Sequence, residues 1–163
     1  MKRKLFIKKI IIASGGIICS SSIVNCSNKK MQLTDLLNKP ISILTDYDKN
    51  GTKDYGYCIV PSRDYSHEII MNEDSFVYYE NNKIKGYTIN VNDNGKETFS
   101  SIKQTLVDKF GKSVKVYDNA FGVQFEWNEN KKKYTLSKTK QFQNIKQKII
   151  FSESIFDNDL FVF

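Results

Sequence analysis

Between residues 98 and 127 the apolar residues change their period, and that change constrains the fold more than any other feature of the chain. Phe99, Ile102, Leu106 and Phe110 recur at the three- and four-residue spacing that places side chains on one face of a helix. Thr98 can cap its N-terminus and Gly111 can close its C-terminus. Beyond it Phe121, Val123, Phe125 and Trp127 alternate with Gly122, Gln124 and Glu126. That alternation predicts a strand with one face on a core and one in water.

The other segments follow the same two periods. Leu33, Leu36 and Leu37 stand at helical spacing before Pro40, which predicts a short first helix. Residues 41–44 and 55–60 read as one hairpin around an Asp/Asn/Gly loop, and 76–79 with 84–91 as a second hairpin turned by ENNK. PSRDYSHE (61–68) and NDNGKE (92–97) read as loops, and residues 114–117, 134–136 and 145–151 as further strands. The expectation is an α+β fold in which two short-to-medium helices are each followed by antiparallel strands. LTDLLNKP faintly echoes TLVDKFGK, and the pair resembles the tandem helix-plus-sheet units of small secreted inhibitors and envelope lipoproteins.

The start of the chain is of another kind. Lys2, Arg3, Lys4, Lys8 and Lys9 stand in the first nine residues with no acidic residue, and residues 10–24 are mostly apolar. This is the charged and apolar layout of a secretory signal, and Gly15, Gly16 and Ser20 to Ser22 interrupt it too much for a membrane-spanning helix. The residues Ile23, Val24, Asn25 and Cys26 resemble the lipobox of bacterial lipoproteins. The resemblance implies that a signal peptide, 1–25, is removed and that Cys26 carries lipid. Cys19 fits the pattern less well. Residues 26–31 then form the lipidated end and a short tether, and 32–163 a single domain with possible halves at 32–95 and 96–163. Four residues from Ser27 to Lys30 reach roughly 15 Å when extended, so the domain would lie close to its membrane. Ser27 is not the acidic residue that holds such lipoproteins at an inner membrane, which favours an outer membrane where one exists.

Removing the leader changes the charge balance. The whole chain has 25 Lys and Arg against 18 Asp and Glu, a net charge of +7. Five of the basic residues and none of the acidic ones precede Cys26, so 25 minus 5 leaves 20 against 18 and a net charge of +2. The basicity that would suggest a nucleic-acid partner belongs mainly to the leader. Cysteine usage agrees: with Cys19 removed and Cys26 acylated, Cys58 has no partner for a disulfide, and its place in YGYCIV predicts a small buried hydrophobe on a strand.

One loop has the residue types for a hard cation. In DYDKNGTKD, Asp46, Asp48, Asn50, Gly51 and Asp54 resemble the calcium loops in the hairpins of integrin-like and related bacterial repeat proteins. By that resemblance Asp46, Asp48, Asn50 and Asp54 would bind calcium through side chains and Thr52 through its carbonyl. The spacing has a physical logic, since alternate oxygen-bearing side chains on a curving loop converge on one ion. An EF-hand is excluded by Tyr57 in place of the closing Glu. The alternative is an Asn-Gly hairpin turn with solvated carboxylates.

His67 is the single histidine, with Ser62, Asp64, Ser66 and Glu68 close in sequence. Such neighbours do not make a catalytic triad, and the chain has no GxSxG, HExxH, CxxC or glycine-rich phosphate loop. Lysines 131–133, 138, 140, 146 and 148 make the C-terminal third basic, which reads as the wet face of a sheet. The expectation is a lipid-anchored envelope protein acting as a non-catalytic binding, inhibitory or adaptor module. Its partners would be the membrane, through Cys26, and an unidentified envelope protein or ligand, with no nucleic acid. The alternatives are a calcium-stabilised structural protein and a small hydrolase using His67.

Overall fold

The computed structural model describes residues 30–70, 72–91, 98–140 and 147–155. The elements run in the order β1 (Met31–Gln32), 3-10 turns at Leu33–Leu36 and Ile41–Ile43, β2 (Lys49–Gly51), β3 (Tyr55–Val60), β4 (Tyr65–Ser66), β5 (Asn72–Glu80), β6 (Lys83–Val91), α1 (Phe99–Phe110), β7 (Val114–Asp118), β8 (Gly122–Glu129), β9 (Lys132–Thr139) and β10 (Ile149–Ile155). Eight strands form one antiparallel sheet in the order β2-β3-β5-β6-β10-β9-β8-β7, and β1 with β4 forms a small parallel pair beside it. Two four-stranded meanders thus meet through their last strands, with Thr88 of β6 opposite Ser152 of β10 and their hydroxyls 2.8 Å apart.

The fold is mostly β, with one α-helix among the described residues, and the expectation of an α+β fold with two helices is corrected. The first predicted helix is a single 3-10 turn that buries Leu33 and Leu36. Seven residues without a side-chain cap are too few to nucleate an α-helix on their own. The backbone also has other partners. The Asn38 amide donates to the Ile84 carbonyl, Ile84 to Lys39, and Ile41 to Asn82, so the segment is tied to the β5–β6 hairpin. Residues 41–44 likewise form a 3-10 turn, and the strand that pairs with β3 is β2.

The second helix forms as its pattern predicts. Thr98 and Ser101 make a reciprocal capping box, the Trp127 indole donates to the Gly111 carbonyl at 2.9 Å, and Ile102 and Leu106 are buried. Both long hairpins turn through two residues with positive φ, Asn81–Asn82 and Asn130–Lys131, the conformation that matches the twist of paired strands.

The sheet has a covered and an open face. Directly opposed residues share a face, so one covered row runs Cys58, Val77, Tyr87, Glu153, Tyr134, Trp127 across β3, β5, β6, β10, β9 and β8. All six are buried. The helix lies on the β8–β9 part of this face, where Phe110 stacks on Tyr134 at 4.1 Å and Phe99 meets Phe125 at 6.1 Å. The leucines at 33, 36, 37 and 44, together with Ile41, Tyr65 and Ile70, join the same core.

Candidate binding face and the predicted site residues

Cys26 lies outside the described residues, as does the whole leader. Cys58 is fully buried on β3, and desolvation raises its thiol pKa, which suits a packed hydrophobe rather than a nucleophile.

The candidate calcium residues sit on an ordinary hairpin. Asp46 and Asp48 precede β2, Asn50 lies within it opposite Tyr57, and Asp54 is in the turn to β3. Thr52 makes the turn. Its hydroxyl accepts from the amides of Asp54 and Tyr55 at 3.2 Å, and its carbonyl accepts from the Tyr79 hydroxyl at 2.8 Å. Among the described residues no three acidic, histidine or cysteine side chains are grouped as for a metal ion.

His67 is buried against Tyr87 and Phe151, with ring centroids 5.9 and 5.1 Å away. Its Nδ1 accepts the Ile69 amide at 3.3 Å, and desolvation lowers its pKa to about 4. The neighbours in sequence are engaged elsewhere: Asp64 accepts from the Tyr47 hydroxyl, Ser66 from Gln32, and Glu68 pairs with Lys109. The structure therefore does not bring Ser62, Ser66, Asp64 or Glu68 into hydrogen bonding with His67.

A second buried polar group, Glu153, is held by the Tyr87 hydroxyl and by Lys132 Nζ at 2.8 Å. Its position in the covered row between Tyr87 and Tyr134 explains the pairing, because a carboxylate desolvated under a sheet requires a cation and a donor. Desolvation, with the nearby Glu153 charge, pushes the Tyr134 phenol up to about 12 and Tyr87 higher still.

The open face carries the arrangement that sequence reading missed. One row crosses the sheet as Ile59, Phe76, Thr88, Ser152, Thr135, Glu126, and the next begins Tyr57, Tyr78, Gly86, Ser154, Lys133. The first meander thus presents aromatic and aliphatic side chains to solvent, and the second presents hydroxyls and the Lys133–Glu126 ion pair at 2.7 Å. Tyr57 packs against Phe76 and Tyr78 at 5.8 and 6.4 Å between ring centroids. Tyr55 is 65% exposed, Ile59 43% and Tyr78 38%. The signal lay in YGYCIV, where both alternations are apolar although only one side of a sheet edge can be covered by the short elements that precede it.

No family model matches the chain, and neither do the curated proteins or the solved structures with which it was compared.

Proposed function

We propose that the chain is a lipid-anchored protein of a bacterial cell envelope whose domain is a non-catalytic binding module, and that the aromatic half of the open sheet face is where a protein of the same envelope docks. The open-face cluster of exposed Tyr55, Tyr57, Ile59 and Tyr78 around the half-buried Phe76 carries the reading. Tyrosine supplies large contact area with few rotatable bonds and a hydroxyl that remains satisfied at a wet rim, which is why it concentrates in binding hot spots. The neighbouring threonine and serine hydroxyls offer hydrogen bonds beside it. A binding role needs no titrating nucleophile, which agrees with the packing of His67 and Cys58 in the core. The basic, apolar leader and the lipobox-like residues before Cys26 support the anchoring, and Ser27 favours an outer membrane.

Two measurements test the two parts separately. Mass spectrometry of the mature N-terminus is expected to find acylated Cys26, and Cys26→Ser to leave unprocessed precursor; an unmodified N-terminus elsewhere removes the anchoring. A photo-reactive residue at position 57 is expected to cross-link one envelope protein in living cells, with Tyr78→Ala reducing the yield while the protein stays folded. Cross-linking unaffected by Tyr78→Ala removes the docking face.

A further inference from the structure

The chain enters the domain at one end of the large sheet. Lys30, the first described residue, donates through Nζ to the Ser62 carbonyl at 2.6 Å, and the Met31 amide donates to the Asp64 carbonyl at 3.1 Å. Ser62 lies just beyond β3, and its amide donates to Asp74 of β5 at 3.3 Å. At that end of the strands Val60 stands opposite Ser75, Asn90 opposite Ile150, Ile149 opposite Lys138 and Thr139 opposite Gly122. The β7–β8 turn therefore lies at the same end as Lys30, across the sheet from it.

That turn holds out Phe121, which is 84% exposed although its backbone is fixed on both sides. Its amide donates to the Asn119 side-chain oxygen at 2.9 Å, and its carbonyl accepts from the Lys140 amide at 2.8 Å. Val116 and Tyr117, in the strand that leads into the turn, are exposed as well, and so is Met31 beside the point of entry. The turns at the opposite end are polar, TKD at 52–54, NN at 81–82 and NK at 130–131. A single exposed apolar side chain is ordinary. One held rigidly at the end where the chain enters has a surface to meet. The charges nearby are paired, Arg63 with Asp64 at 3.5 Å and Lys140 with Asp118 at 3.4 Å, so the apolar corner, and not charge, selects that surface.

We propose that this end of the sheet rests on the bilayer that holds the lipid of Cys26, with the Phe121 ring seated at headgroup level. The inference rests on the anchoring proposed above. Ser27 to Lys30 span roughly 15 Å when extended, which keeps Lys30 within that distance of the surface. β8 has eight residues and is roughly 26 Å long, so the tether is shorter than a strand and favours contact by the near end of the sheet over the far one. Phe121 needs no membrane affinity of its own. The lipid makes its contact intramolecular, and burial of one ring then sets the orientation of the domain. In that orientation the aromatic open face stands off the bilayer and stays free for a protein of the same envelope.

The test uses the mature acylated chain on vesicles of phosphatidylethanolamine and phosphatidylglycerol that contain a nitroxide-labelled lipid. A thiol-reactive fluorophore is placed on Ala120→Cys, beside Phe121, or on Lys53→Cys at the far end, with Cys58 shielded in the core. Quenching at position 120 is expected to be severalfold stronger than at position 53. Phe121→Ser is expected to bring it down to the level of position 53 with as much protein floating with the vesicles as before, and Phe121→Trp to retain it. Equal quenching at the two positions in acylated, vesicle-bound protein, or quenching at position 120 that Phe121→Ser leaves unchanged, overturns the orientation and leaves the anchoring intact. A chain that carries no acyl group and does not float with vesicles removes the anchoring itself, and the orientation with it.

Discussion

Burial removes His67 from the groups that titrate near neutrality, and this gives it a measurable effect on stability. Its folded pKa of about 4 lies below the ordinary value of 6.5, chiefly through desolvation against Tyr87 and Phe151, with Glu68 opposing and Lys109 adding. Above pH 6.5 neither state holds the proton and the group contributes nothing. As the pH falls from 6.5 towards 4 the unfolded chain binds a proton that the folded chain refuses, and stability is lost, levelling at roughly 3 kcal/mol below pH 4. Urea unfolding at pH 7.5 and 4.5 is expected to show this loss superimposed on that of the carboxylates. His67→Gln, whose side-chain oxygen can still accept the Ile69 amide, is expected to remove most of the histidine part; an unchanged pH dependence in that variant would place the proton on another group. The same scale contains the clearest glycine requirement. A Cβ on Gly56 would stand 2.3 Å from the Asn50 carbonyl oxygen and 2.6 Å from the Tyr79 hydroxyl. Gly56→Ala therefore forces the β2–β3 hairpin apart and is expected to cost about 1–3 kcal/mol, read as a melting temperature lower by several degrees.

At the scale of elements, what the sequence made legible was local and what it hid was tertiary. The capping box at Thr98, the helical spacing to Phe110 and the strand alternation through Trp127 are each complete within a few residues, and the structure places α1 and β8 there. Leu33, Leu36 and Leu37 have the same spacing, but the backbone that follows them, at Asn38, Lys39 and Ile41, pairs with Asn82 and Ile84 of the β5–β6 hairpin more than forty residues away, and no local pattern encodes that competition. Nor does the spacing of Asp46 to Asp54 encode that segment's tertiary partners: β2 pairs with β3, and the Tyr79 hydroxyl from β5 donates to the Thr52 carbonyl. Two substitutions probe local elements directly. Thr98→Ala removes the oxygen that accepts the Ser101 amide and is expected to destabilise the protein by about 1 kcal/mol. Lys131 occupies the second left-handed position of the β8–β9 turn at φ 63, where a side chain is strained. Lys131→Gly creates the Asn-Gly pair favoured there and is expected to stabilise by about 0.5–1 kcal/mol, measurable as a raised urea midpoint with unchanged slope.

For the whole molecule the decisive feature is the pairing of β6 with β10. Five directly opposed pairs, from Gly86–Ser154 to Asn90–Ile150, join the two meanders, and on the covered side Tyr87 of the first bonds Glu153 of the second. His67, from the loop of the first half, also packs on Phe151 of the second. Separating the meanders would expose these aromatic rings and leave the Glu153 carboxylate with Lys132 alone, so the chain is expected to unfold as one cooperative unit despite its two-part topology. Two reporters lie on opposite sides of the seam. Trp127, the single tryptophan, is buried in β8 of the second meander, and Cys58 is buried in β3 of the first. In the processed form proposed above, without the leader and acylated on Cys26, Cys58 would be the one free thiol, and burial raises its pKa. Tryptophan emission and thiol labelling in a urea series are then expected to give the same midpoint. Tyr87→Phe removes the hydroxyl that crosses the seam and is expected to lower both midpoints together, by about 1–3 kcal/mol of stability for a buried charged acceptor deprived of a donor. If Cys58 became reactive at a urea concentration where Trp127 stayed buried, the seam would be weaker than either meander and the halves would be separate folding units.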